Sequence, residues 1–283
     1  MSRDEVQAIL DTVSVYAVTD PDLEGLVMVK EPNNPNDISY FFFSPEAANT
    51  VYAPLRKKEN EKSGKAGNWS VSAYPLGLVW FELINDPEQQ SQGVEYRLLP
   101  EPDNLIGAQN MLAKQQKESG VSNPKSNELF KMPFNQVPIF IDQFLRLTVP
   151  AAEGDGGDEI REVVPLYIGL DDLMDTCNKA IKASSGDYQA ALCVIDLKDL
   201  IDEMTKENPN DYRSAILIPP TPKAADEDPK DGVGSSEAAE RPAAAAGTDS
   251  DDFNWSGKQS IYGKALTDNQ PINTPTATND WSD

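Results

Sequence analysis

There is no histidine among the 283 residues. That absence removes Ser-His-Asp and Cys-His catalysis, imidazole ligation of metals and the side chain that changes charge near neutral pH. Cysteine is nearly absent as well, Cys177 and Cys193 being the whole complement. Both sit within apolar patterns and read as buried free thiols; spacing alone leaves a disulfide between a helix and the next strand open. Two thiols cannot build a metal cluster by themselves. No glycine loop of the GxxxxGK[ST] or GxGxxG kind is there to cradle phosphate, and no GxSxG elbow to present a nucleophile. No cofactor and no metal are therefore expected. No run approaches the ~20 apolar residues that cross a bilayer.

Positive charge is also scarce: 24 Lys and Arg stand against 47 Asp and Glu, for a net charge of −23. Nucleic-acid binding wants a basic face, and simple docking on anionic lipid wants a polybasic one, so the composition argues against both. It favours solubility and basic partners. The opening MSRDEVQAILDTV is acidic and helix-prone. It has the composition neither of a secretory signal nor of an arginine- and serine-rich transit peptide, which suits an untargeted protein or a mature form.

The stretch Val163–Ile181 organises the rest. VVPLYIGLDDLMDTCNKAI is an apolar strand, a glycine turn and a helix. Leu170, Leu173, Met174, Cys177 and Ile181 recur at helical spacing on one face. Asp171 and Asp172 fall in the first turn, where carboxylates suit the positive end of a helix, and Lys179 and Lys182 fall near the other end.

A counterpart lies about 125 residues earlier. YFFFSPEAANTV at Tyr40–Val51 is an apolar run with Ser44 as N-cap and Pro45 at the first helical position. Upstream, the short apolar segments at 13–19 and 26–29 read as strands paired across a brief turn, and they match 137–141 and 145–149, which read as strands paired around a turn containing Asp142. Downstream, VSAYPLGLVWFEL at 71–83 matches ALCVIDLKDLIDEM at 191–204, strand into short helix. The pattern predicts an α/β fold, a layered sheet-and-helix domain built from an internal duplication with pseudo-twofold symmetry. Residues 1–118 form the first unit, 119–136 a polar connector and 137–222 the second unit. Residues 2–13 read as a helix, Lys57–Asn68 as a solvated loop and the most basic patch present, Ala151–Asp158 as a flexible tip. Asp196 reads as an N-cap. Residues 223–283, poor in hydrophobics, read as a disordered acidic tail. Phe253, Trp255, Ile261, Tyr262 and Trp281 stand out within it as material for a short linear motif.

The densest carboxylates are Asp171, Asp172 and Asp175, then Asp196, Asp199, Asp202 and Glu203. Paired carboxylates serve glycoside hydrolysis or hold divalent cations. Here they occupy helix faces opposite the apolar stripes and read as solvated faces and caps. Two equivalent units side by side leave grooves on their flanks. Phe41, Phe43, Val79 and Trp80, with their counterparts Leu166, Ile168, Leu200 and Ile201, are candidates to line a groove for extended apolar peptide. The ordinary reading of the same eight residues is core.

Taken in order, Val15-Tyr-Ala-Val-Thr, Tyr40-Phe-Phe-Phe-Ser-Pro-Glu-Ala-Ala, Tyr74-Pro-Leu-Gly-Leu-Val-Trp, Leu98-Leu-Pro-Glu-Pro, Val137-Pro-Ile-Phe, Val164-Pro-Leu-Tyr-Ile-Gly-Leu-Asp-Asp-Leu, Val194-Ile-Asp-Leu-Lys-Asp-Leu and Ile216-Leu-Ile-Pro-Pro resemble one family. It is the 22-kilodalton subunit family of the translocon at the chloroplast inner envelope (the Tic complex), which has cyanobacterial members. The serial order over about residues 13–220 carries the match. The resemblance implies a non-enzymatic, peripherally associated protein of the plastid intermembrane space. Its implied partners are preproteins with their transit peptides and other translocon subunits, with a chaperone-like role in protein import. Attachment to the membrane would run through protein partners. The acidic surface would suit basic transit peptides. Two other classes compete: a structural subunit of a plastid membrane complex held through the tail, and a carboxylate-based hydrolase, which needs acids converging in a pocket.

Overall fold

The computed structural model describes residues 1–20, 25–31, 34–63, 69–88, 93–119, 128–150, 160–184, 188–206 and 211–222. The flexible tip expected at Ala151–Asp158 and the tail expected from residue 223 lie outside them.

Helix α1 (Arg3–Leu10) starts on a capping box, Ser2 accepting from the Glu5 N–H while Glu5 accepts from the Ser2 N–H. It buries Val6 and Leu10 and stops there, short of the expected residue 13. Strands β1 (Ser14–Asp20), β2 (Gly25–Leu26), β3 (Val29–Lys30) and β4 (Asp37–Phe42) lead to helix α2 (Pro45–Ser63). Ser44 caps α2 as the sequence predicts, its hydroxyl accepting from the Ala47 N–H at 3.1 Å. The helix then runs through the start of the expected loop at 57–68, because Lys57 to Lys62 are mostly straight-chain helix formers. Strand β5 (Ser70–Pro75) enters helix α3 (Leu76–Leu78), whose last turns widen into a π-helix over Val79–Ile84. Strand β6 (Val94–Leu99) and helix α4 (Pro102–Ser119) close the first half. The second half is β7 (Pro138–Asp142), β8 (Leu147–Pro150), β9 (Ile160–Tyr167), α5 (Leu170–Ala183), β10 (Leu192–Asp196), α6 (Leu197–Thr205) and β11 (Ala215–Ile218).

Two mixed sheets result, and they are wired alike. The first runs β5–β1–β4–β6 and the second β10–β7–β9–β11. In each, the first two pairings are antiparallel and the last is parallel. The halves even share a joint. Leu76 N–H donates to Val13 O at 2.9 Å, and Leu197 N–H donates to Val137 O at 2.8 Å, each fastening a helix start to the residue before an inner strand.

One sequence expectation about the strands is corrected. β1 and β2 do pair, Thr19 opposite Leu26. β7 and β8 do not pair with each other; β8 lies antiparallel to β9, Leu147 opposite Val163. The cause is Asp142. Its fully buried carboxylate accepts from the N–H groups of Phe144 and Leu145 through Oδ1, and from Ala191 N–H through Oδ2. That side-chain turn steers the chain off β7 before a hairpin can close.

Period-two alternation divides the interior. Phe41, Phe43, Leu98, Leu166, Ile168 and Leu217 face a central core that also takes α1, α3 and α6, joining the two halves in one cluster. The residues between them face outward. Tyr40, Phe42 and Leu99 pack beneath Ala48, Tyr52 and Leu55 of α2. Phe140 and Tyr167 pack beneath Leu105 and Ala108 of α4 and Leu173 and Cys177 of α5. Met174 and Ile181, assigned to the α5 stripe by spacing, are instead 41% and 38% exposed, because the apolar stripe is wider than the contact with the sheet. The polar connector also hides an anchor: Phe130 is fully buried against α4 and the second sheet. Asn135, in the left-handed region at φ 58°, exchanges hydrogen bonds with Leu98 and so covers part of the β6 edge.

Candidate functional site

A cleft of about 1340 Å³ opens where the carboxyl ends of β4, β6, β9 and β11 meet the starts of α2, α4 and α5. Ligand sites in α/β folds favour such strand ends. Phe42 and Tyr167, the last residues of β4 and β9, lie in it at equivalent places, as do Leu99 and Ile218 at the ends of β6 and β11. Burial pushes the Tyr167 phenol above its ordinary value. It stays a neutral, amphipathic surface at physiological pH.

The two helix walls come from positions 125 apart. Ala47, Thr50, Val51 and Pro54 on α2 correspond to Asp172, Asp175, Thr176 and Lys179 on α5. One wall is therefore largely apolar and the other largely acidic. Glu46, Glu101, Asp103 and Asp171 add to the acidic rim, and Lys179 is the single cation among the lining residues. The carboxylates that read as solvated faces at 171–175 thus gather at the cleft mouth.

Three contacts hold the second wall in place. The buried Asn104 side chain at the start of α4 accepts from the Leu170 N–H at 3.1 Å. Asp172 accepts twice from Thr221, from its N–H at 3.0 Å and from its hydroxyl. Gly169 makes room for this, since a Cβ there would lie 2.3 Å from Asp172 Oδ2 and 3.4 Å from the Pro220 backbone. Pro220, Thr221 and Pro222 are thereby strapped along the cleft.

The eight candidate groove residues go elsewhere. Phe41, Phe43, Val79, Trp80, Leu166, Ile168, Leu200 and Ile201 all belong to the central core, none more than 5% exposed, and none lines the cleft. Phe41, Phe43, Leu166 and Ile168 flank Phe42 and Tyr167, which sit between the named pairs and point the other way into the cleft, whereas Val79, Trp80, Leu200 and Ile201 lie on helices packed in the central core. Glu101, Asn104 and Thr221 carried no sequence signal beyond their place beside prolines and a helix start.

Other reactive groups are sequestered from the cleft. Cys177 lies in the outer cluster of the second sheet, 3.9 Å from Asp142 Oδ2. Cys193 stands opposite Ile141, which packs against the central core, so the two thiols occupy opposite faces of that sheet and both are free. Burial pushes both thiols above their usual value, the opposite of an activated thiolate. Asp196 sits at the N-cap position of α6, but its side chain accepts from Val137 N–H at 3.0 Å in the interior. Burial, helped by the neighbouring Asp199, raises it to about 6. Among the described residues no group of three His, Cys, Asp or Glu is placed to hold a metal ion. No helix among them is long and apolar enough to cross a membrane.

The model of the Tic22-like family matches residues 1–229. Two solved structures are similar in fold. Anabaena Tic22, described as a protein of protein transport, superposes with a TM-score of 0.56 at 19% identity, covering 80% of this chain and 100% of that one. Tic22 from Plasmodium falciparum superposes with a TM-score of 0.55 at 17% identity, covering 76% and 91%. No curated protein matches the sequence.

Proposed function

The chain belongs to the Tic22-like family, and from that premise we propose that it is a non-enzymatic protein-import component that holds preprotein segments in the cleft between α2 and α5. Protein transport is the description carried by the Anabaena relative. The observation that carries the cleft reading is its pair of unlike walls, apolar Ala47, Val51 and Pro54 facing acidic Asp171, Asp172 and Asp175. Such a site suits a segment with one apolar and one basic face, the chemistry of a transit peptide. Its volume exceeds the roughly 300–1,000 Å³ of small-molecule pockets, which favours a stretch of polypeptide.

The role is chaperone-like: transient capture without covalent change. Partners are preproteins and other translocon subunits, the place of work is the plastid envelope intermembrane space, and membrane association is peripheral, through protein contacts. The two halves are read as copies of one unit; matching strand orders and the 125-residue spacing of the cleft walls support that origin.

The test is a titration with a fluorescent basic amphipathic peptide across a salt series. Saturable binding that weakens with salt but survives moderate ionic strength is expected, since charge and apolar contact both contribute. Asp171→Lys with Asp175→Lys should remove most of the salt-sensitive part. Binding indifferent to that double substitution would place the peptide elsewhere.

A further inference from the structure

The described chain leaves the cleft at its own lip. Pro220, Thr221 and Pro222 line the cleft, Thr221 is fastened to Asp172, and 61 residues follow. Those residues are uneven in charge. From Lys223 to Asp252 there are nine acids and three bases. From Phe253 to Leu266 (FNWSGKQSIYGKAL) there is no acid, two lysines, Lys258 and Lys264, and a cluster of apolar residues, Phe253, Trp255, Ile261, Tyr262 and Leu266. A segment both aromatic and cationic thus interrupts a tail that is otherwise acidic.

We propose that the segment Phe253–Leu266 docks in the cleft of its own chain as an internal occupant that incoming peptide must displace. The inference rests on the reading of the cleft as a peptide site. Charge and apolar complementarity select this segment over the rest of the tail. Lysines suit the wall of Asp171, Asp172 and Asp175, and aromatic rings suit Val51 and Pro54 opposite. The acidic residues from 223 to 252 would be repelled from the same rim. Reach is ample: thirty residues separate Pro222 from Phe253, about 100 Å of extended chain. Tethering makes the contact intramolecular, so even weak intrinsic affinity fills the site in the absence of competitor. The consequence is a threshold. Peptides of weak complementarity are refused, and stronger ones release the tail as they bind.

The experiment uses the full chain. A photo-crosslinking amino acid replaces Thr50, exposed on the α2 wall, and in a separate protein Lys198, exposed on α6 away from the cleft. Irradiation should join position 50 to the 253–266 peptide and leave position 198 without that adduct. Excess basic amphipathic peptide should suppress the adduct. In parallel, W255S with K258Q and K264Q in the full chain should tighten binding of the same fluorescent peptide by about fivefold or more, because the internal competitor is gone. Absence of the position-50 adduct, equal adducts from both positions, or unchanged affinity in the triple variant would overturn the proposal. Peptide bound at the cleft with no tail adduct would leave the preprotein reading standing and remove this one. A tail adduct with no peptide binding by any variant would do the reverse.

Discussion

Thr221 and Asp172 form the last fastening of the described chain: the Thr221 N–H and hydroxyl both donate to the Asp172 carboxylate in the first turn of α5. The contact is exposed, so its stability value is modest, yet it fixes the strap across the cleft. Asp172→Ala should lower stability by about 1 kcal/mol or less and sharply raise amide exchange at Thr221. Gly169→Ala should act on the same contact, because its Cβ would displace Asp172 Oδ2. The double variant should then cost little more than the worse single one. Additive losses measured by denaturant melts would show that the two residues act independently.

Asp142 predicts a much larger effect. It is fully buried and accepts from three backbone N–H groups of two loops. Asp142→Ala leaves those donors unsatisfied and should cost about 3 kcal/mol or more. Asp142→Asn keeps one acceptor oxygen and should cost less. Equal midpoints for both variants in urea would contradict this account of the turn.

Asp196 gives a pH dependence with a definite sign. Its folded value, raised to about 6, lies above the ordinary 3.8. The folded state therefore binds the proton more tightly. The charged form costs stability fully above about pH 6, and the cost is relieved as pH falls towards 4, on the order of 3 kcal/mol in all. Asp196→Asn retains an acceptor for Val137 N–H and removes the charge. The variant should gain on the wild type at pH 7 and lose that advantage by pH 4. A stability difference that stays constant over that range would refute the assignment.

The phase of β4 and β9 separates core from cleft. Ile168→Asp places a charge in the central core and should prevent folding, or cost well over 4 kcal/mol. Val51→Ser, on the half-buried wall of α2, should leave a cooperative fold and lower affinity for a basic amphipathic peptide, because apolar surface is lost with no change of charge. Circular dichroism melts beside the peptide titration distinguish the two outcomes.

Much of this architecture is legible in the residues. Ser44 before Pro45 announces α2, and the spacing of Leu197, Leu200, Ile201 and Met204 announces α6 and its buried face. What local pattern could not supply was phase and partner. Phe41, Phe42 and Phe43 are alike as hydrophobes, and only the packing of α2 on one side and the second half on the other decides which ring reaches the cleft. β8 looks like a hairpin partner of β7 until Asp142 bends the chain to β9. Phe130 looks like part of a polar connector until α4 and the second sheet close over it. Glu101, Asn104 and Thr221 become site residues only because distant strand ends converge.

The most direct measurement is to map where a bound peptide sits. A basic amphipathic peptide carrying a photo-crosslinker, irradiated with the full chain, should form adducts on α2 between Glu46 and Leu55 and on α5 between Asp171 and Lys179. Adducts confined to the outer edge of β5 or scattered over the surface would contradict a client cleft between unlike walls.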